Sequence, residues 1–432
     1  MEKKVFLFLY EHLKLGGIEK NLIEQIITYS KMGIRIIWLR YGNIEDIYTP
    51  WKEVLNKYKV EIIDVNINTN KLIVIPNLQF EENEVVYATC YEPIDFARLE
   101  IIANHYRQKF NLYYIVPHFT GITNYLEDRF SLKILRYKVK NELSRVYDRW
   151  YKNGNLLFFN LKHEMEMQKR YSVECINKEK INKSVLELKE FDSELAKKRS
   201  KRNEFRIITC GRFEFPHKGY IFGLVDSFCK LKIKYPQLKL DIIGYGIHES
   251  KIRDYIEKVS PNIKKDINII GSVSPDKLSN YFDRCHLNVS VAGALTEGAY
   301  SGLISLAARH YCYTCEVYDW LNRNSGNTLD DKPGNPVENY IEELINMSDE
   351  NYIKLCHQSY EYAITKKESD PNWLFNQKNI SLNYYSINEV HLFKKINTYW
   401  KIKFGLKCCI YRPMNKLGLI EFIHKMKEIM NK

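Results

Sequence analysis

Short apolar runs alternate with helical patterns along the first 375 residues, and that alternation restricts the chain to an α/β architecture. The first set of runs is VFLFLY (5–10), RIIWLR (35–40), EIIDV (61–65), EVVYATC (84–90), LYYIVPH (112–118) and LLFFN (156–160). Between the first two, Ile18, Leu22, Ile26 and Tyr29 recur at helical spacing and Gly33 closes the pattern. The lysine-rich LAKKRSKRNE (195–204) interrupts the rhythm and reads as an exposed connector. A second set follows in FRIITCG, LKLDIIGYG, DINIIGSV and HLNVSVAG. In SPDKLSNYF, Ser274 is placed to cap a helix with Pro275 in its first turn, and PVENYIEELINM marks another helix start. The expectation is two Rossmann-like doubly wound domains, 1–200 and 201–375, and a basic helical C-terminal extension, 376–432. Ligands of such sheets sit at the carboxyl ends of the strands, and for two facing domains that means the cleft between them.

A chain of 432 residues is too long for one compact core. The N-terminal apolar run stops at Glu11, too short for a secretory signal or a membrane span, so the expected location is cytoplasmic with the ten cysteines reduced. Cys312 and Cys315 have C-x-x-C spacing without a second pair at zinc-site spacing, so ordinary buried thiols are expected and no metal. The net charge is +12, and Lys394–Lys432 carries ten Lys/Arg against two Glu, leaving only about +4 for the rest. That distribution disfavours nucleic acid as a partner of the α/β body. In the tail, Leu419, Phe422, Ile423, Met426 and Met430 form one apolar helical face flanked by Lys425, Lys427 and Lys432. It can dock on the body, or lie on an anionic membrane surface at the inner membrane face through 394–432. On the second reading a chain ending near Asn388 stays folded and loses vesicle binding.

Several strand-end stretches carry polar chemistry. Gly16 and Gly17 precede the first helix, where backbone N–H groups can face an anion; the same pair also makes a tight turn. In CGRFEFPHKGY, Arg212 stands at a strand's carboxyl end and Lys218 at the mouth of the next helix. Paired cations there suit a diphosphate, although both can equally be solvated. Glu297, in TEGAYSGL after another strand, can accept hydrogen bonds from sugar hydroxyls. His118 ends the strand YYIVPH, where a histidine binds a hydroxyl or takes its proton, or serves the fold alone.

As a set, G-G-x-E after strand one, a strand-end His, G-R-x-x-x-x-x-K-G, L-x-I-I-G-x-G, G-x-V before a helix and E-G-x-x-x-G-L resemble the GT-B glycosyltransferases of the family 4 type. The resemblance spans about 1–375 and is strongest from Phe205 to Leu306. It implies a retaining, metal-independent transferase with a nucleotide-sugar donor and a glycan or lipid-linked acceptor, as in surface polysaccharide or glycolipid synthesis. It assigns the donor diphosphate to Arg212 and Lys218, and its phosphates and sugar to Gly16 and Gly17. Ser272 and Val273 would lie beside the base, and Glu297, Gly302 and Leu303 at the donor. Glu297 would contact the donor sugar and His118 the acceptor, as the catalytic pair. The family's second Glu falls on Ser305 by counting from Glu297, or on Ala307 by aligning the GL pair, and neither is a carboxylate. Two further readings keep the fold and drop the transfer: a partner subunit of an active transferase, and a nucleotide-sugar epimerase.

Overall fold

A computed structural model describes residues 2–14, 16–41, 47–67, 73–106, 109–116, 126, 130, 132–158, 161–173, 184–185, 190–201, 203–324, 333–365, 367–368, 370–377, 388–396 and 398. The chain forms two compact units, one from Met1–Val185 with Asp370–Lys432 and one from Leu186–Ser369.

The first unit runs β1 (Lys3–Tyr10), α1 (Gly17–Lys31), β2 (Arg35–Arg40), α2 (Thr49–Lys57), β3 (Glu61–Asp64), β4 (Glu84–Cys90), α3 (Pro93–Ala103), β5 (Lys109–Val116), α4 (Lys133–Lys152), β6 (Leu156–Phe158), α5 (Leu161–Tyr171) and β7 (Ser184–Val185). Its six-stranded sheet has the order β3-β2-β1-β4-β5-β6, parallel throughout. Successive side chains of a strand point to opposite faces. In β1, Val5, Leu7 and Leu9 therefore enter one core, while Phe6 and Phe8 enter the other with Leu22, Ile26 and Tyr29 of α1. Covering both faces explains why VFLFLY is apolar without alternation. The strand order reverses between β1 and β4, and their carboxyl ends form the switch point where ligands of such sheets bind.

The second unit runs α6 (Ser193–Ser200), β8 (Phe205–Cys210), α7 (Tyr220–Lys234), β9 (Leu238–Ile243), α8 (Glu249–Glu257), α9 (Pro261–Lys264), β10 (Ile267–Gly271), α10 (Pro275–Phe282), β11 (Leu287–Ser290), α11 (Ala292–Tyr300), β12 (Ser305–Ala308), β13 (Glu316–Trp320), α12 (Leu321–Asn324), β14 (Asn335–Pro336), α13 (Val337–Asn346) and α14 (Asp349–Ile364). The sheet order is β10-β9-β8-β11-β12-β13-β14, parallel as far as β12 and antiparallel beyond it. Its switch point lies between β8 and β11.

Two boundaries differ from the sequence expectation. The connector expected at 195–204 begins as helix α6, capped by the Asp192 carboxylate on the Leu195 amide at 2.8 Å. Arg199 of α6 is buried and donates to the carbonyls of Phe282, Ser301 and Gly302 at 2.9–3.1 Å. A lysine-rich stretch thus sends one cation inward, to the C-terminal ends of α10 and α11, where unpaired carbonyls favour positive charge. At the other end the chain rejoins the first unit. Leu374 and Phe375 are buried there, as are Leu392, Phe393 and Ile396 of a helical segment, 388–396. A cut near Asn388 therefore removes core. The remainder of the proposed membrane segment, 397 and 399–432, lies outside the described residues.

Candidate active site

β8 ends at Cys210, and the chain crosses to α7 through the loop that carries Arg212 and Lys218. The GYG sequence after β9 holds this loop. The Gly211 amide donates to the Ile243 carbonyl at 3.0 Å and the Phe213 amide to the Tyr245 carbonyl at 2.7 Å. The Phe215 amide donates to His248 Nδ1 at 3.0 Å, and the Phe213 ring is fully buried. Gly244 makes this possible: a methyl there would fall 2.2 Å from the Gly211 carbonyl oxygen.

Arg212 is half-exposed and pairs with Glu214 at 3.3 Å. The Lys218 side chain folds back over Gly211, its Nζ 2.6 Å from where a methyl on Gly211 would stand. Among the described residues no carboxylate forms an ion pair with Lys218. Burial first, and the neighbouring Arg212 charge second, push its pKa down to about 8, against a smaller opposing pull from Glu214. Two cations thus share one strand end, Lys218 desolvated and Arg212 half-exposed, with the partly exposed Glu214 beside them. Such a site gains most from an anion with several acceptor oxygens.

The adjacent strand is tied in by a buried polar network. Ser290 Oγ accepts from the Cys210 amide at 3.1 Å and donates to Asn288 Oδ1 at 2.7 Å. Asn288 Nδ2 donates to Ser305 Oγ at 3.2 Å and to the Ala294 carbonyl at 3.1 Å, joining β11, β12 and α11. Ala292 opens α11 at φ +52°, a left-handed conformation that costs free energy in a residue with a Cβ and recurs at functional sites.

Glu297 lies within α11 and is partly exposed: the TEGAY part of TEGAYSGL is helix, and Ser301 caps it. Gly302, at φ +67°, ends that helix: its amide donates to the Ala299 carbonyl and the Leu303 amide to the Gly298 carbonyl, a Schellman closure. Leu303 is fully buried with Ile208, Cys210 and Phe282, and Val273 packs against the same cluster. Ser272 is exposed just past β10. Ser305 and Ala307 are both buried in β12, because the chain has passed from helix to strand within eight residues of Glu297. The second carboxylate cannot be counted forward into a sheet interior.

Sequence reasoning did not single out His310 and Tyr311, which pack beside the Lys218 loop. The rings of His310 and Tyr311 lie 4.8 and 5.1 Å from that of His217, the neighbour of Lys218, and the Tyr311 amide donates to the His217 carbonyl. The run RHYCY was the available signal. Cys312 and Cys315 are free thiols, Cys312 2.8 Å from Thr314 Oγ1 and Cys315 buried. Among the described residues no cluster of three or more His, Cys, Asp or Glu could hold a metal ion.

In the first unit, Gly16 is the extended N-cap of α1 and Gly17 faces open space. The Glu19 carboxylate folds back over Gly16, where Oε2 lies 2.2 Å from a methyl's position, and Oε1 accepts from Tyr10 at 3.0 Å. Burial first, then Glu19, holds the Tyr10 hydroxyl protonated well above its ordinary range. Tyr91, at the end of β4, packs edge-on to Tyr10 at 5.8 Å. This switch point therefore presents phenols and a carboxylate beside the helix N-terminus, groups suited to hydroxyls. His118 lies outside the described residues.

These geometries define a protein of two doubly wound α/β units, with an anion-seeking strand end in the second. Residues 190–363, the body of that unit, match the family model of glycosyl transferases group 1. The fold is GT-B. A glycosyltransferase from Rickettsia africae ESF-5 superposes with a TM-score of 0.53 at 15% identity, over 93% of this chain and 99% of that one. A mutant of S. aureus TarM, solved with Fondaparinux, alpha-GlcNAc-glycerol and UDP, gives 0.54 at 11% identity, over 87% and 98%. The GtfA/B complex gives 0.50 at 13%, over 90% and 100%. No curated protein matches the sequence.

Proposed function

We propose that the protein transfers a sugar from a nucleotide-sugar donor to a hydroxyl acceptor, with retention of configuration and without a metal. The observation that carries this reading is Lys218, desolvated beside Arg212 at a strand end inside the group 1 domain. The two cations would bind the donor diphosphate and stabilise the charge that develops as the nucleotide leaves. The donor phosphate would help to deprotonate the acceptor hydroxyl. Glu297 would hold the donor sugar, and Ser272 and Val273 would border the base. Gly16 and Gly17 would approach the donor, with Glu19 and Tyr10 offering hydroxyl-binding groups there. Gly302 and Leu303 would serve the donor site by ending α11 and packing beneath it. His118 would sit at the acceptor.

The acceptor class we propose is a glycan or lipid-linked precursor of a surface polysaccharide or glycolipid, met at the cytoplasmic membrane face. UDP in the TarM complex supports a uridine nucleotide as the first ligand to try. Among the described residues no helix is long and apolar enough to cross a membrane.

Titration calorimetry with nucleoside diphosphates tests the donor site. Lys218→Ala and Arg212→Ala should each weaken binding by about 1.5–3 kcal/mol, the worth of a charge-assisted hydrogen bond. Glu297→Gln and His118→Ala should lower turnover more than they lower affinity for the free nucleotide. Parent-like binding by both cation variants would remove the site. Sugar turnover with donor alone would favour an epimerase, and nucleotide binding without turnover on any acceptor would favour a partner subunit.

A further inference from the structure

Of twelve exposed large hydrophobic side chains among the described residues, four fall within 132–137. Leu132 is 65% exposed, Ile134 84%, Leu135 40% and Tyr137 68%. Exposed hydrophobics scattered singly are ordinary; a cluster marks an interaction surface. This cluster opens α4, whose later turns pack normally, with Leu143, Val146, Tyr147 and Trp150 buried in the first unit. Ile134 precedes the fully buried Leu143 by nine residues, two and a half turns, and so stands on the opposite face. Tyr137, one turn on, shares that face. Ile134 and Tyr137 therefore lie off the core-facing stripe of α4, whereas Leu132 and Leu135, each eleven residues before the buried Leu143 and Val146, continue that stripe.

Up to Glu142 the charge around them has one sign. Lys133, Lys138 and Lys140 lie on the same turns, the segment 132–141 contains no Asp or Glu, and Arg145 follows beyond Glu142, about three turns past Ile134. Among the described residues none of these four cations forms an ion pair. Lys133, Lys138 and Arg145 are exposed, and Lys138 stands one turn from Ile134 on the same side. Apolar side chains flanked by unpaired cations on a solvent-facing helix suit an anionic bilayer: the rings and branched chains enter the headgroup boundary and the cations meet lipid phosphate. Against a second copy of this chain the same cations would face each other across a two-fold axis, which disfavours a self-interface.

We infer that the N-terminal turns of α4 are a membrane-docking element, seated on anionic lipid through Ile134 and Tyr137 with Lys133 and Lys138 at the headgroups. The inference does not rest on the transferase reading, nor on the basic tail.

Cosedimentation of the full chain with vesicles tests it. The chain should pellet with vesicles of equal parts phosphatidylglycerol and phosphatidylcholine in low salt, stay in solution with phosphatidylcholine alone, and be released by high salt. Ile134→Ser combined with Tyr137→Ser should lower the partition coefficient at least about tenfold without changing the melting temperature, since both side chains are exposed. Lys133→Ser combined with Lys138→Ser should lower it about tenfold or more. Parent-like partitioning of the Ile134/Tyr137 variant would overturn the inference and leave membrane binding to another segment. Equal pelleting with neutral vesicles, or no pelleting at all, would also overturn it. So would a parent that sediments as a dimer and becomes monomeric on the Ile134/Tyr137 change without binding vesicles.

Discussion

The backbone amide of Phe213 donates to the carbonyl of Tyr245 at 2.7 Å, and this bond joins the two motifs on which the candidate donor site depends. One is the loop of Arg212 and Lys218. The other is the GYG turn after β9, which offers its backbone to that loop and has no charge of its own. The cations are held in place by a neighbouring strand end, so the site can be damaged without touching either of them.

Gly244→Ala makes that damage. Its methyl would stand 2.2 Å from the Gly211 carbonyl oxygen and 2.6 Å from the buried Phe213 ring. Neither obstacle is a flexible side-chain end, so the backbone must separate. Overpacking of this kind costs about 1–3 kcal/mol. The variant should melt lower than the parent and bind nucleoside diphosphate more weakly, although it removes no ligand contact. Unchanged melting together with unchanged affinity would show that the turn does not brace the loop.

Lys218 makes nucleotide binding depend on pH. Its pKa is lowered to about 8, first by burial and then by Arg212. A bound diphosphate favours the charged form and raises that pKa again. Between about pH 8 and the raised value, binding must take up a proton, so affinity should fall by about tenfold per pH unit as pH rises. Below pH 8 the lysine is already charged and affinity should level off. Lys218→Ala should abolish the slope as well as weaken binding. Calorimetry in buffers of different ionisation enthalpy reads the proton uptake directly, and a parent with no uptake at pH 9 would contradict the assignment.

How much of this was legible in the sequence follows from which side chains are buried. The central strands of both sheets are covered on two faces, so they appear as nearly unbroken apolar runs with turn residues at their ends. The loop of Arg212 and Lys218 was legible because glycines bracket it at a strand end. Helix α6 was not, because its buried anchor is Arg199 amid lysines, and a cation is ordinarily a surface residue. Helix α11 was not, because AGALTEGAY is built of small residues that pack tightly on Asn288, where even a methyl on Gly298 would fall 2.3 Å from its Nδ2. Ser305 and Ala307, where the motif places a second carboxylate, lie inside the strand that follows this helix. Glu19 was legible only as the acid of G-G-x-E, since nothing in GGIEK tells whether its carboxylate points to solvent or folds back beside Tyr10.

Arg199 should be worth more to stability than any surface ion pair. Its guanidinium satisfies the carbonyls of Phe282, Ser301 and Gly302 inside the second unit. Arg199→Met keeps much of the side-chain volume and takes the guanidinium from the Ser301 and Gly302 carbonyls, while the Phe282 carbonyl keeps the Cys285 amide at 3.0 Å, a loss of about 3 kcal/mol. For a domain of this size that corresponds to roughly 6–12 °C in melting temperature. Differential scanning calorimetry should show the shift, and a change below the scatter of repeat scans would mean that water replaces the guanidinium.

The last prediction concerns where the chain can be cut. Val390, Leu392, Phe393 and Ile396 are buried, with the Phe393 ring stacked on Trp150 at 5.8 Å and Glu389 paired with Arg149 at 3.4 Å. Burying one such apolar side chain is worth about 1.5–3 kcal/mol, so four of them rival the whole net stability of a domain, about 5–15 kcal/mol. A chain ending at Ile387 should therefore be insoluble or lose cooperative melting, because it removes core along with the basic tail. A chain ending at Trp400 keeps all four and should melt like the parent. That shorter but intact protein also separates the two membrane surfaces. If α4 carries the docking, it should still pellet with phosphatidylglycerol vesicles; if the basic residues beyond 400 carry it, binding should vanish while nucleotide affinity stays. Should the chain ending at Trp400 itself fail to fold, the tail packs as core, and the membrane reading of 401–432 falls with it.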